Sequence, residues 1–200
     1  MRIGVLGGTF DPIHYGHLIL AETIRNEAML DKVIFIPAKV SPFKQNYVVA
    51  SGEHRIKMAE IATDGYDKFE VSGIEFSIES VSYTINTLHK LQKQLNKDDK
   101  MYYITGTDAI MSIERWKSSE ALLKEFSFIV GTRYIDDMTD PVEHIKYLVR
   151  KYGTNIRIIN MPLIGISSTL IKNLLSEGKS IKYLLPDGVE EYIKENGLYK

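Results

Sequence analysis

Short continuous apolar runs recur along the chain, separated by longer stretches with the period of an amphipathic helix. Ile3–Leu6, Val33–Pro37, Phe69–Ser72, Met101–Thr105, Phe128–Gly131 and Asn155–Asn160 read as strands. The intervening pattern predicts helices over His17–Leu30, Gly52–Thr63, Thr84–Leu95, Ala109–Ile113, Ser119–Phe126, Pro141–Tyr152, Leu170–Ser176 and Val189–Glu195. In the first of these, Leu18, Leu20, Ala21, Ile24 and Ala28 form the apolar face. Punctuation supports the boundaries: Pro37 stops a strand, Ser51 offers an N-cap, and Asn196-Gly197 ends the last helix. Strands alternating with helices argue for a parallel sheet covered on both faces, whose ligands bind beyond the carboxyl ends of the strands.

Composition narrows the class without naming a chemistry. The 200 residues are enough for one domain, 1–200, with a sizeable core. A net charge of −1 argues against a general nucleic-acid binder. No cysteine means no disulfide and no thiol chemistry, which fits a reducing, cytoplasmic setting. No apolar run reaches membrane-spanning length, and the N-terminal apolar run is too short for a secretory signal. A homo-oligomer is compatible with all of this.

Chemistry concentrates at the first strand's exit, Gly7-Gly8-Thr9-Phe10-Asp11-Pro12-Ile13-His14-Tyr15-Gly16-His17. Glycine turns freely there and lets a ligand approach the backbone closely. His14 and His17 stand on the lip between a strand end and a helix start, where unpaired N–H groups attract phosphate. No Gly-x-Gly-x-x-Gly and no Gly-Lys-Ser/Thr is present, so neither the dinucleotide fingerprint nor a Walker loop applies. A zinc site would need a third ligand, and none is evident at metal-site spacing.

Later strand exits add candidates. Pro42-Phe43-Lys44 follows the second strand, and the long flexible ammonium of Lys44 could follow a polyphosphate as its charge moves. Lys39 reads as solvated. Arg55 opposes the helix dipole in its helix's first turns, which hints at an ion pair or a phosphate contact. His54 and His144 read as surface groups, and Asp136, Asp137, Asp140 and Glu143 as a solvated acidic stretch. Ser77–Thr84 reads as an extended loop whose Ser82-Tyr83-Thr84 sits at a helix N-terminus, as a plain cap or as N–H donors facing an anion. Gly106-Thr107-Asp108 leaves the fourth strand, with Asp108 either holding a ligand hydroxyl or capping the next helix. Trp116 has polar neighbours, which favours a partly exposed ring able to stack on a heterocycle. Ile166-Ser167-Ser168-Thr169 opens another helix with more hydroxyls than one cap needs, which suggests a second phosphate-binding helix start, with Lys172 one turn inside.

Taken together and in order, Gly7-Gly8-Thr9-Phe10-Asp11-Pro12, His14-x-x-His17, Pro42-x-Lys44, Ser82-Tyr83-Thr84, Gly106-x-Asp108, Trp116 and Ile166-Ser167-Ser168-Thr169 resemble the bacterial nicotinate mononucleotide adenylyltransferases. These share a His-x-Gly-His motif with a wider nucleotidyltransferase superfamily. The Ser-Tyr-Thr group and Trp116 set the chain apart from pantetheine-phosphate adenylyltransferases of that superfamily.

The resemblance implies an α/β, Rossmann-like, doubly wound fold. It also implies an enzyme that joins ATP to nicotinate mononucleotide, with Mg2+, giving deamido-NAD and pyrophosphate without a covalent intermediate. By that analogy His14, His17 and Lys44 hold the ATP phosphates, and Ser167, Ser168, Thr169 and Lys172 line the triphosphate site. Gly7, Gly8, Thr9 and Phe10 contact the nucleotides. Ser82, Tyr83, Thr84, Gly106, Asp108 and Trp116 hold nicotinate mononucleotide. Two positions depart from the family pattern: Phe43 where histidine is common, and Lys172 where arginine is common. Lysine keeps the charge there but loses the bidentate fork.

Overall fold

The computed structural model of the chain describes residues 1–39, 50–77, 83–133, 141–162 and 164–199. Six parallel strands form one sheet: β1 (Arg2–Gly8), β2 (Lys32–Pro37), β3 (Phe69–Val71), β4 (Lys100–Gly106), β5 (Ser127–Arg133) and β6 (Asn155–Met161). Their order is β3-β2-β1-β4-β5-β6. The helices are α1 (Tyr15–Glu27), α2 (Gly52–Thr63), α3 (Thr84–Gln92), α4 (Thr107–Met111), α5 (Ser119–Glu125), α6 (Pro141–Tyr152), α7 (Ser168–Ser176) and α8 (Asp187–Glu195).

The period of the strands explains the layers. Successive residues of a strand point to opposite faces, and both faces here are covered. Val33 and Phe35 of β2, Leu6 of β1 and Ile129 of β5 pack with Ala21, Ile24, Met58, Ala59, Ile171, Val189 and Ile193 of α1, α2, α7 and α8. Their neighbours Ile34, Ile36, Ile3, Val5, Phe128 and Val130 pack with Ile85, Leu88, Ile110, Leu122, Ile145 and Leu148 of α3, α4, α5 and α6. Each of these strands is apolar on consecutive positions because it supplies two cores at once.

The strand order reverses at β1, which lies between β2 and β4. Connections leave β1 and β4 toward opposite faces of the sheet, so a crevice opens between Gly8 and Gly106, the last residues of the two strands.

All six expected strands form, and α2 and α6 keep the expected bounds. Several helix starts differ for a local reason. α1 begins at Tyr15, ahead of the expected His17, because His14 takes the extended N-cap position with ψ near 170°. α7 begins at Ser168 because the Ser167 hydroxyl accepts from the Leu170 N–H at 3.1 Å. α4 begins at Thr107 with Gly106 as its N-cap, so Asp108 is not a cap but a first-turn residue. His54 does not stand free in solvent: its Nδ1 lies 2.9 Å from the Tyr192 hydroxyl of α8. His144 is half-buried, its ring tilted against that of the exposed Tyr147 at 5.9 Å. No described helix is long and apolar enough to cross a membrane.

Candidate active site

A cavity of about 560 Å3 fills the crevice. Its floor is the end of β1 with the following turn, Leu6, Gly7, Gly8 and Thr9. One wall holds His17 and Leu20 of α1, and another holds Ile104, Thr105 and Gly106 of β4 with Ala109 of α4. The far end is closed by Tyr83, Thr84, Arg115, Trp116 and Lys117.

The histidines are placed by α1. Residues three apart on a helix face one another, and the two rings stack with centroids 3.8 Å apart. The His14 main-chain N–H donates to His17 Nδ1 at 3.3 Å. An Nδ1 that accepts leaves the proton of a neutral ring on Nε2, so His17 carries a donor at its outer nitrogen. His14 is 6% exposed and lies behind His17 rather than on the cavity wall. Gly16 is required by this stack: a Cβ there would stand 2.9 Å from His14 Nδ1 and 3.4 Å from the Ile166 carbonyl.

Phe10 does not reach the cavity. Its ring is 1% exposed and packs edge-on to His17 at 5.0 Å, so its side chain supports the imidazole. A Cβ at Gly8 would lie 2.7 Å from this ring, which is why the turn narrows to glycine there.

The N-terminus of α7 is fastened to the same turn, since the Ser168 hydroxyl donates to the Pro12 carbonyl at 2.9 Å. Ser167 and Thr169 are exposed beside it. Two helix starts therefore converge, α1 with its imidazoles and α7 with its hydroxyls. Lys172 is engaged elsewhere: its ammonium meets the buried Asp11 carboxylate at 2.9 Å. Asp108 is exposed and does not line the cavity. Lys44 and Ser82 lie outside the described residues, as do Pro42, Phe43, Asp136, Asp137 and Asp140.

Arg55 has neither role expected of it. It is 3% exposed, and its guanidinium donates to four main-chain carbonyls: Ala50 at 2.9 Å, Thr9 at 2.9 Å, Ala38 at 2.6 Å and Lys39 at 3.3 Å. It ties the turn after β1 to the exit of β2. Burial pulls its pKa down from the ordinary value, and Asp11 acts in the opposite direction. The helix-dipole conflict at Arg55 was the signal that this side chain works away from its own helix.

Four lining side chains, Glu75, Tyr103, Arg115 and Lys117, gave no sequence signal as site residues. Glu75 is buried and accepts from the Lys39 N–H at 3.0 Å and the Thr87 hydroxyl at 2.7 Å. Tyr103 stands edge-on to Trp116 at 6.2 Å, and burial pushes its phenol up to about 12. Arg115 and Lys117 flank Trp116 and are exposed. Trp116 itself is half-buried, as its polar neighbours suggested.

The described residues contain no group of three His, Asp or Glu side chains that could hold a metal ion. Such a lining can offer an anion the Nε2 donor of His17 and a flat ring the face of Trp116. The His14, Tyr15 and His17 N–H groups at the start of α1 are already accepted by His17 Nδ1 and by the Leu184 and His14 carbonyls.

Residues 5–174 match the model of the cytidylyltransferase-like family. A Thermoanaerobacter protein named probable nicotinate-nucleotide adenylyltransferase is 43% identical over all of this chain and 95% of its own length. A Moorella thermoacetica protein of the same name is 43% identical, with 92% of its length covered. The solved structure of the Plasmodium falciparum nicotinic acid mononucleotide adenylyltransferase complexed with NaAD superposes with a TM-score of 0.80. That match covers 99% of this chain and 97% of the other at 24% identity, so it speaks for the fold.

Proposed function

The chain belongs to the nicotinate-nucleotide adenylyltransferases of the cytidylyltransferase-like family, and on that premise we propose that it joins ATP and nicotinate mononucleotide into deamido-NAD and pyrophosphate. The observation that carries the reading is the single crevice between β1 and β4, with His17 at one side and Trp116 at the other. Such a cavity can hold a polyphosphate against the His17 Nε2 donor, beside the hydroxyl-bearing start of α7, while a pyridine ring stacks on the indole.

The reaction needs no general base. The attacking phosphate loses its second proton at about pH 6, so it is largely dianionic at neutral pH. Its oxygen attacks the α-phosphorus of ATP, the bond to the β-phosphate oxygen breaks, and pyrophosphate departs with that electron pair. The site has to bring two anions together and stabilise the charge that moves onto the leaving group. The Nε2 donor of His17, His14 behind it, Ser168 at the tip of α7 and Lys44 are the groups proposed for this work. Ser167 and Thr169 flank the phosphates. The backbone of Gly7, Gly8 and Thr9 lets the nucleotides lie close.

Mg2+ is proposed to arrive with the ATP phosphates rather than on a protein cage. Asp11, the buried carboxylate beneath the phosphate site, already has its oxygens held by Ala50, Lys172 and Tyr199. The ion would supply charge neutralisation on the phosphates. A cysteine-free chain with a net charge of −1 supports the reading of a cytoplasmic enzyme without a nucleic-acid partner.

Preference for the acid over the amide follows from donor matching. A nicotinate carboxylate only accepts hydrogen bonds. The start of α3 presents main-chain N–H groups at Thr84 and Ile85, which no described residue accepts. An amide NH2 would set a donor against a donor. Pyrophosphate release tests both statements: ATP with nicotinate mononucleotide is expected to turn over, and the amide mononucleotide to react at least about tenfold less efficiently. No release with either mononucleotide overturns the function, and equal efficiencies overturn the selectivity.

A further inference from the structure

We propose that Tyr199, at the far end of the chain, is a positioning residue for the polyphosphate site and acts through Asp11; this rests on the adenylyl-transfer reading. Asp11 sits in the turn between Thr9, which lines the cavity, and His14, which caps α1. It is 2% exposed. A carboxylate at that depth must have donors. The Ala50 N–H reaches Oδ1 at 3.1 Å and the Tyr199 hydroxyl reaches the same oxygen at 2.7 Å. The Lys172 ammonium takes Oδ2 at 2.9 Å.

These donors come from separate parts of the fold: the segment before α2, the second turn of α7, and the tail after α8. Asp11 is thus the knot where three elements meet under the turn that presents the imidazoles. Tyr199 contributes twice, because its ring also lies 5.9 Å from the Lys172 ammonium. Burial and the bond to Asp11 both raise the pKa of its phenol, so the hydroxyl stays a donor throughout the neutral range. α7 carries Ser168 as well as Lys172, and Ser168 grips Pro12. A turn held through Asp11 and Pro12 together keeps the start of α7 in register with the start of α1. Losing the Tyr199 hydroxyl leaves Lys172 and Ala50 to hold the carboxylate, so the turn shifts without the core being opened.

The test is Tyr199→Phe, which deletes the hydroxyl and keeps the ring, compared with Lys172→Met and the double variant. Calorimetric titration with a non-hydrolysable ATP analogue reads affinity without turnover, and steady-state kinetics read the KM for each substrate. Loss of one hydrogen bond to a charged group is expected to weaken analogue affinity and raise the KM for ATP by about fivefold to tenfold. The KM for nicotinate mononucleotide should change by less than about twofold, since that subsite lies at the other end of the cavity. Because both side chains act on one carboxylate, the double variant should bind the analogue no more weakly than the weaker single variant. Unchanged analogue affinity in Tyr199→Phe, or full additivity with Lys172→Met, overturns the proposal even if thermal stability falls. If Tyr199→Phe folds poorly, unchanged affinity in Lys172→Met contradicts it equally. Wild-type turnover decides the adenylyl-transfer reading separately, so the two failures are distinguishable.

Discussion

The exits of β1 and β4 face each other across one crevice, yet they are built in opposite ways. After β1 the polar groups are committed to the protein itself. Asp11 and Arg55 are buried, and between them they bind the carbonyls or N–H groups of Thr9, Ala38, Lys39 and Ala50. After β4 the polar groups face outward: Asp108, Arg115 and Lys117 are exposed, and Trp116 is half-buried against Tyr103. Under the proposed function the first exit is a fixed mount for charge, and the second a more exposed shelf for a ring. Stabilising a transient charge requires donors that are fixed before reaction, whereas ring recognition tolerates adjustment. On this account, damage to the β1 side slows the chemical step or weakens ATP binding, and damage to the β4 side weakens nicotinate mononucleotide binding alone.

The largest effect should come from His17→Ala. Removing a preorganised donor from a site of developing charge costs about 10²- to 10³-fold in kcat. Single-turnover measurement would check this, and full activity would remove His17 from the mechanism. Next is Arg55→Met, which leaves four half-buried carbonyls without this donor and should cost roughly 3 kcal/mol of stability. Denaturant titration reads this directly. A loss within about 0.5 kcal/mol, the range of ordinary surface changes, would show that the mount does not depend on Arg55.

The smallest of these three effects is expected at Trp116→Ala. The KM for nicotinate mononucleotide should rise about tenfold through lost ring contact, with kcat nearly unchanged. A fall in kcat without a change in KM would erase the contrast between the two exits.

The contrast also explains what could be read from the sequence. The strands were legible because buried parallel strands are continuous apolar runs. The histidines and the serine run were legible because the turn chemistry around them is local. Trp116 was legible from its polar neighbours. What escaped was held by contacts distant in sequence. Asp11 meets Lys172 and Tyr199 across most of the chain length, and no local pattern announces such a pair. Phe10 lies in a motif that resembles a nucleotide-contact loop, yet its left-handed backbone, φ 50°, turns the ring into the core beneath His17. Lys172 fits a phosphate-binding helix by position, and only the packed structure shows the buried carboxylate that claims its charge.

The central claim is that both exits serve one molecule at once. A crystal structure with deamido-NAD bound tests it most directly. The account predicts the dinucleotide spanning the cavity, its phosphates within hydrogen-bond reach of His17 and its pyridine ring against Trp116. A product bound with its phosphates away from the two imidazoles, or with the ring outside the β4 exit, would contradict it.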